Sequence, residues 1–188
     1  MKKVEKGEMG YRKYFRTKRL AGVGAMLAVI AVLVIIRART EGTAAMLSTL
    51  SAVFMAIPMA NYATPLIASW KWRGTPESTH AMYQKYEKRF PVLYDLILTT
   101  REAVMPVDVA VVHPTGVYCY CTNPKAKTAQ AEKSLNAYFQ SVKLDPNLHI
   151  FVEKKLFDRR INTLKPASAY EDDGSLDYAA KTLKSLCM

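Results

Sequence analysis

Pro106-Val107-Asp108-Val109-Ala110-Val111-Val112-His113-Pro114-Thr115-Gly116-Val117-Tyr118-Cys119-Tyr120-Cys121-Thr122-Asn123 reads as a β-hairpin. Residues 107–112 are mostly β-branched, and residues 117–122 mix β-branched residues with aromatics, both suited to a pleated surface. His-Pro-Thr-Gly lies between them. Pro114 presets φ for a turn and Gly116 tolerates a positive φ. One acid, Asp108, opens the first strand, and the second strand carries no carboxylate and no lysine.

Around the hairpin the chain alternates helix and strand signals. Thr75-Pro76-Glu77 is a helix start, with Thr as N-cap, Pro in the first turn and an acid at the positive end of the dipole. That helix is expected to run to Arg89, with Met82 and Tyr86 on one face, and to stop at Phe90-Pro91. Residues 91–100 alternate as a strand, and 101–105 read as a loop. Ala131, Leu135, Tyr138, Phe139 and Val142 recur at helical spacing over 128–142. Asp145-Pro146-Asn147 is a turn, and 148–152 a short strand. Residues 153–162 are charged and fit a turn with a short strand or helix. A linker or cap at Asp172-Asp173-Gly174-Ser175 precedes a final helix over 176–186. The order helix, strand, hairpin, helix, strand, helix predicts an α+β or α/β domain with a small mixed sheet.

The N-terminal part is of another kind. Residues 1–19 carry eight Lys and Arg against Glu5 and Glu8. Residues 20–36 carry no charge and are about long enough to cross the hydrocarbon as a helix. A second apolar stretch, 43–70, holds Pro58 and Pro65, which membrane helices tolerate with a kink. Its small residues, Ala44, Ala45, Ser48, Ala52, Ala56 and Ala60, let another helix approach closely. Trp70, Lys71, Trp72 and Arg73 read as an interfacial anchor. With only residues 37–42 between them, the two stretches form a transmembrane hairpin. Arg37 and Arg39 directly after the first stretch speak against a cleaved signal peptide. The expected organisation is a basic flank (1–19), a two-span hairpin (20–73), an α/β domain (74–165) and a tail with a short helix (166–188).

The formal net charge is +11, of which about +6 lies in residues 1–19 and about +4 after the spans. The basic flank places both termini in the cytoplasm at the cell membrane, by the positive-inside rule. The flank lies on anionic headgroups in this reading rather than acting as a nucleic-acid arm. Three cysteines, with Cys119 and Cys121 badly placed for a disulfide, agree with a reducing compartment. Cys-x-Cys has no second pair at finger spacing, so no metal site is expected. His80, His113 and His149 are scattered, and no phosphate-cradling glycine loop occurs.

Residues 75–152 resemble the nuclease-related (NERD) domain of the PD-(D/E)xK restriction-endonuclease-like fold. The features that carry the resemblance are the acid at Asp108, the apolar run, the turn Pro114-Thr115-Gly116 and the spacing of the second run, with residues 90–98 similar to the family's preceding strand. In that pattern the second strand ends in Glu-x-Lys. Here Cys121 stands for the Glu and Asn123 for the Lys. The resemblance implies two carboxylates on a divalent cation that polarises the phosphate and activates water, with the Lys supporting developing charge. A thiol is a poor ligand for a hard cation, and Asn brings no charge. Asp108, Cys121 and Asn123 therefore read as a degenerate site, with no catalytic residue, no metal and no cofactor. A residual metal-dependent nuclease would need a carboxylate from Glu87, Asp95 or Glu102.

The sequence thus predicts a non-catalytic, membrane-anchored docking or scaffold protein within a larger membrane assembly. Its partners are the lipid bilayer and other membrane proteins, or a second copy through the second span. The alternative is a membrane-tethered nucleic-acid binder with Lys125, Lys127 and Lys133 facing phosphate, or Lys154, Lys155, Arg159 and Arg160 as a second patch. Nucleic acid is not favoured, because acids such as Glu132, Glu153 and Asp158 sit among these cations.

Overall fold

The computed structural model describes residues 4–72, 74–100, 102, 104–124, 126–171 and 174–188. The chain forms two compact units. One is Lys13–Lys71. The other joins residues 4–12 to the chain from Trp72 onward.

The first unit contains two long helices. Helix α1 spans Tyr11–Arg39, of which all but the first two residues belong here, and α2 spans Gly42–Trp70. Both are long and apolar enough to cross a membrane. The connector is shorter than the sequence suggests, because α1 continues through Arg37 and Arg39. Helix α2 runs through Pro58 and Pro65 without ending. The less exposed positions of α1 (Gly22, Val23, Met26, Ile30, Leu33) and of α2 (Ala45, Ser48, Ala52, Met55, Met59) each recur at i, i+3 or i+4. That is the stripe by which two helices pack. The small-residue stripe divides accordingly: Ala45 and Ser48 are buried, while Ala56 and Ala60 stay exposed. At the other end of the hairpin, the Arg16 guanidinium lies 4.8 Å from the Trp70 ring and that of Arg19 4.5 Å from Tyr62.

The second unit is an α+β fold. Its sheet contains β1 (Val92–Thr99), β2 (Val104–His113), β3 (Gly116–Tyr120) and β4 (Leu148–Phe151), in spatial order β1-β2-β3-β4. The first three are antiparallel and β4 joins β3 in parallel. The parallel pair needs a crossover, which helix α4 (Thr128–Ser141) supplies. Residues 104–105, expected in a loop, are already strand. Pro106 is tolerated in β2 because β3 pairs only with residues 109–113, so β2 has a single neighbour at that point. The hairpin turn is Pro114–Thr115, with Gly116 at φ 136°. A Cβ on Gly116 would lie 2.2 Å from the Asn147 carbonyl oxygen, so only glycine lets β3 and the chain before β4 approach this closely.

Helices cover both faces. Tyr83, Tyr86, Phe157 and Ile161 pack on the face that carries Tyr94, Val109, Val111, Tyr118 and Tyr120. They come from α3 (Glu77–Tyr83), the 3₁₀ turn Gln84–Tyr86 and α5 (Lys154–Thr163). On the opposite face, Val117 lines a small cleft with Phe139 of α4 and Ala179 of α6 (Ser175–Leu186). The single helix expected over 75–89 is instead a two-turn helix followed by a 3₁₀ turn. Pro76, not Thr75, occupies the N-cap. Thr75 is drawn away by two carboxylates.

Candidate functional site

Asp108 lies on β2, one residue before Val109, which pairs with Tyr120. Cys121 therefore follows Tyr120 at the level of Asp108, where the resemblance expects a carboxylate. The second carboxylate comes from elsewhere. On β1, Tyr94 pairs with Val109 and Leu96 with Val107, which sets Asp95 opposite Asp108. Asp95 leaves the ladder with φ 54°, a left-handed conformation that Asp tolerates better than most residues. Of the three carboxylates named above, Asp95 alone shares a partner with Asp108 among the described residues. Glu87 accepts the Tyr94 hydroxyl at 2.8 Å, and Glu102 accepts that of Ser134 at 2.9 Å.

The cation between the two carboxylates is Arg12. Its Nη1 donates to Asp108 Oδ1 at 2.7 Å, its Nη2 donates to the Leu96 carbonyl at 2.8 Å, and its Nε lies 3.9 Å from Asp95 Oδ1. Arg12, Asp95 and Asp108 are all buried, at 1%, 1% and 3% exposure. Charges survive at such burial only when paired and hydrogen-bonded. Every carboxylate oxygen accepts at least one hydrogen bond. Thr122 donates both its N–H (2.7 Å) and its hydroxyl (2.6 Å) to Asp108 Oδ2, and the Thr75 hydroxyl reaches Oδ1 at 3.3 Å. Asp95 Oδ1 accepts the Thr75 N–H at 2.6 Å, and Oδ2 accepts the Gly10 N–H at 2.7 Å. Gly10 adopts φ 83° where the chain turns into α1.

These contacts define what the site can do. A divalent cation needs carboxylate oxygens with lone pairs aimed at it. Here all four oxygens already accept a hydrogen bond, and a guanidinium supplies the positive charge. The residues present do not fit the cation that the resemblance implies. What the carboxylates do hold is backbone. Gly10 and Arg12, shortly before Lys13 in the chain, and Thr75, shortly after Lys71, are thereby tied to adjacent strands of one sheet.

Of the other sequence candidates, Cys121 lies beside this cluster, within the field of Asp108 and Arg12. The Cys121 Sγ lies 3.8 Å from the Asn123 carbonyl, and burial raises its pKa. Cys119 is fully buried and its thiol is likewise pushed up by burial, so neither is a poised nucleophile. Asn123 follows β3, and its carbonyl accepts the Ala126 N–H at 3.2 Å. His113 is not paired with either cysteine. Its Nδ1 meets the Thr115 hydroxyl at 2.7 Å and its Nε2 the Lys165 carbonyl at 3.0 Å, and burial lowers its pKa. The carbonyl partner sets the proton on Nε2. Lys127 caps the start of α4 and Lys133 is exposed along it, while Lys125 lies outside the described residues. Among the described residues no three His, Cys, Asp or Glu groups gather as metal ligands.

Arg12 is the site residue that sequence reasoning missed. It is one of eight cations in a flank whose charge the positive-inside pattern already explains, so nothing local marks it. Known protein families, curated proteins and solved structures were compared with this chain, and none matches it.

Proposed function

We propose that this chain is a membrane-anchored, non-catalytic docking scaffold whose α+β unit follows a nuclease-like plan. The observation that carries the reading is that all four oxygens of Asp95 and Asp108 accept hydrogen bonds, from Arg12, Gly10, Thr75 and Thr122. The acid on β2 and the turn beside it are the features on which the resemblance rests, and in this reading they serve structure rather than metal binding.

Three features support the membrane and docking parts. Two helices have the length and composition of spans. Residues 4–12 and the chain after Trp72 share one compact unit, which agrees with both termini on one side of a bilayer. The basic flank and the free cysteines support the cytoplasm as that side. Within α2, Phe54, Ala56, Ile57 and Ala60 stay exposed, a face suited to a further membrane helix.

The test uses full-length protein in mild detergent. Incubated with plasmid DNA or RNA and Mg²⁺ or Mn²⁺, it is expected to cut neither. Cutting that Asp108→Ala abolishes would establish a nuclease and overturn the reading. Native electrophoresis of membranes solubilised in the same detergent is expected to show the chain in a complex larger than a protomer. A lone protomer that shifts DNA below micromolar, with a steep salt slope lost on reversing Lys127 and Lys133, would make it a nucleic-acid binder.

A further inference from the structure

Charge is unevenly spread over the α+β unit. Residues 153–165 hold Lys154, Lys155, Arg159, Arg160 and Lys165 against Glu153 and Asp158. Beside them, after α3, come Lys85, Lys88 and Arg89. The two segments form one face, because the Tyr83 hydroxyl donates to Asp158 (2.6 Å), that of Tyr86 to Asn162 (2.7 Å) and Arg89 to the Leu164 carbonyl (2.9 Å). Those contacts engage Asp158, which is half-buried, while Glu87, bonded to Tyr94, and Glu153 remain exposed beside the cations. The cations are left outward: Lys85, Lys88, Lys155, Arg159 and Lys165 are exposed, and none of them makes an ion pair among the described residues.

Helix α5 gives this face its character. Phe157 and Ile161 bury its inner side, so Lys155 and Arg159, one turn apart, point away from the sheet. Leu156 sits beside them at 47% exposure. An exposed leucine flanked by cations suits a headgroup layer, where the cations meet lipid phosphates and the leucine reaches the acyl boundary. It does nothing for a nucleic-acid phosphate track. The aromatics that stack bases in single-strand binders are also missing from the surface here, since Tyr83, Tyr86 and Phe157 are buried in the core beneath.

We propose that the face built from α5 and the 3₁₀ turn after α3 docks on anionic phospholipid headgroups of the bilayer that the hairpin spans. The inference rests on reading α1 and α2 as spans. Tethering by the hairpin keeps this face at high local concentration over the lipid, so weak contacts suffice.

The experiment uses the full chain with Leu156→Cys, carrying an environment-sensitive fluorophore, in bilayer discs. Cys119, Cys121 and Cys187 are buried, which directs the label to position 156. Emission is expected to rise in discs containing phosphatidylglycerol and not in discs of phosphatidylcholine alone. Raising salt to about 0.5 M, where the screening length shrinks to a few ångström, is expected to reverse the rise. Lys155→Glu with Arg159→Glu is expected to lower the affinity about fivefold or more per cation. The same label at Gln140→Cys, exposed on α4, is expected to stay silent. Equal emission in both discs, or an equal response at position 140, would overturn the proposal. So would quenching at position 156 by an oligonucleotide in neutral discs. Where the double reversal does not fold, the lipid titration and salt series on the labelled parent still decide. A chain that does not enter discs refutes the spans, whereas a chain that enters and stays silent refutes only the lipid contact.

Discussion

Arg12 is a buried guanidinium between two buried carboxylates, and its removal leaves both charges unpaired in a low-dielectric site. Breaking a buried pair from one side typically destabilises by about 3–5 kcal/mol. Arg12→Met is therefore expected to lower stability by about that amount in urea unfolding of the detergent-solubilised chain. Adding Asp108→Asn to it is expected to recover part of the loss, since the uncompensated charge is then gone. A neutral Arg12→Met would show that the cluster contributes nothing. His113 supplies a pH-dependent term of known sign. Burial holds its pKa below the ordinary 6.5, with Arg160 lowering it further and the Lys165 carbonyl opposing. The folded state thus favours the neutral ring. The corresponding stability is fully present above about pH 6.5 and declines as pH falls below that value toward the folded pKa. His113→Gln is expected to flatten that part of the unfolding profile, measured as the urea midpoint from pH 7.5 to 5. An unchanged slope would remove His113 from the account.

At the level of elements, both edges of the sheet are closed. Along β1, the Tyr94 N–H donates to the Gly7 carbonyl at 2.8 Å and the Met188 N–H to the Ile97 carbonyl at 3.2 Å, while Cys187 bridges Leu98. Along β4 the cover is made of side chains. Asn136 accepts the Leu148 N–H at 2.8 Å and donates to the Leu148 carbonyl at 3.0 Å, as a strand would, and Glu132 accepts the Ile150 N–H at 3.1 Å. The two residues stand one helical turn apart on α4, which matches the two-residue repeat of outward groups on β4. Open edges invite pairing with another chain, and these contacts occupy groups along both edges. Asn136→Ala is expected to destabilise by about 1–3 kcal/mol, because it strips Leu148 of both partners. Glu132→Ala with Asn136→Ala is expected to add self-association through the exposed edge, read by light scattering. A monodisperse double variant of unchanged stability would show that the edge needs no cover.

For the whole molecule, the closure of β1 by residues from both ends of the chain carries topological weight. Lys6 donates to the Cys187 carbonyl, and the Tyr11 hydroxyl donates to the Met188 carbonyl at 2.6 Å. On the proposed reading of α1 and α2 as spans, segments so joined share one side of the bilayer. Cys187 itself is a poor reporter of that side, being 3% exposed and in contact with the Ile97 N–H. Exposed positions serve better. In cells, Glu41→Cys in the connector is expected to react with a membrane-impermeant maleimide from outside, and Gln140→Cys only after permeabilisation. The reverse pattern would invert the topology, and reaction at both positions from outside would refute the spans.

Much of the architecture was legible from local signals. The hairpin from residue 107 onward, β1, the crossover helix α4, β4 and α6 follow from β-branched runs, turn residues and helical spacing, which act over a few residues. The two long apolar helices follow from hydropathy alone. The start of α3 lies one residue later than the local cap signal places it, because Thr75, a good N-cap by local chemistry, is held by Asp95 and Asp108 instead. The loss of Glu and Lys from the expected pattern was also legible, at Cys121 and Asn123. What takes their place was not. Arg12 and Asp108 stand 96 positions apart in the chain, with the whole hairpin between them. Asp95 reaches Asp108 only through the register of β1 on β2. Propensity and periodicity say nothing at such separations. Burial made the difference, because once the sheet and its covering helices exclude water, the two carboxylates require a cation, and the folded chain supplies its own.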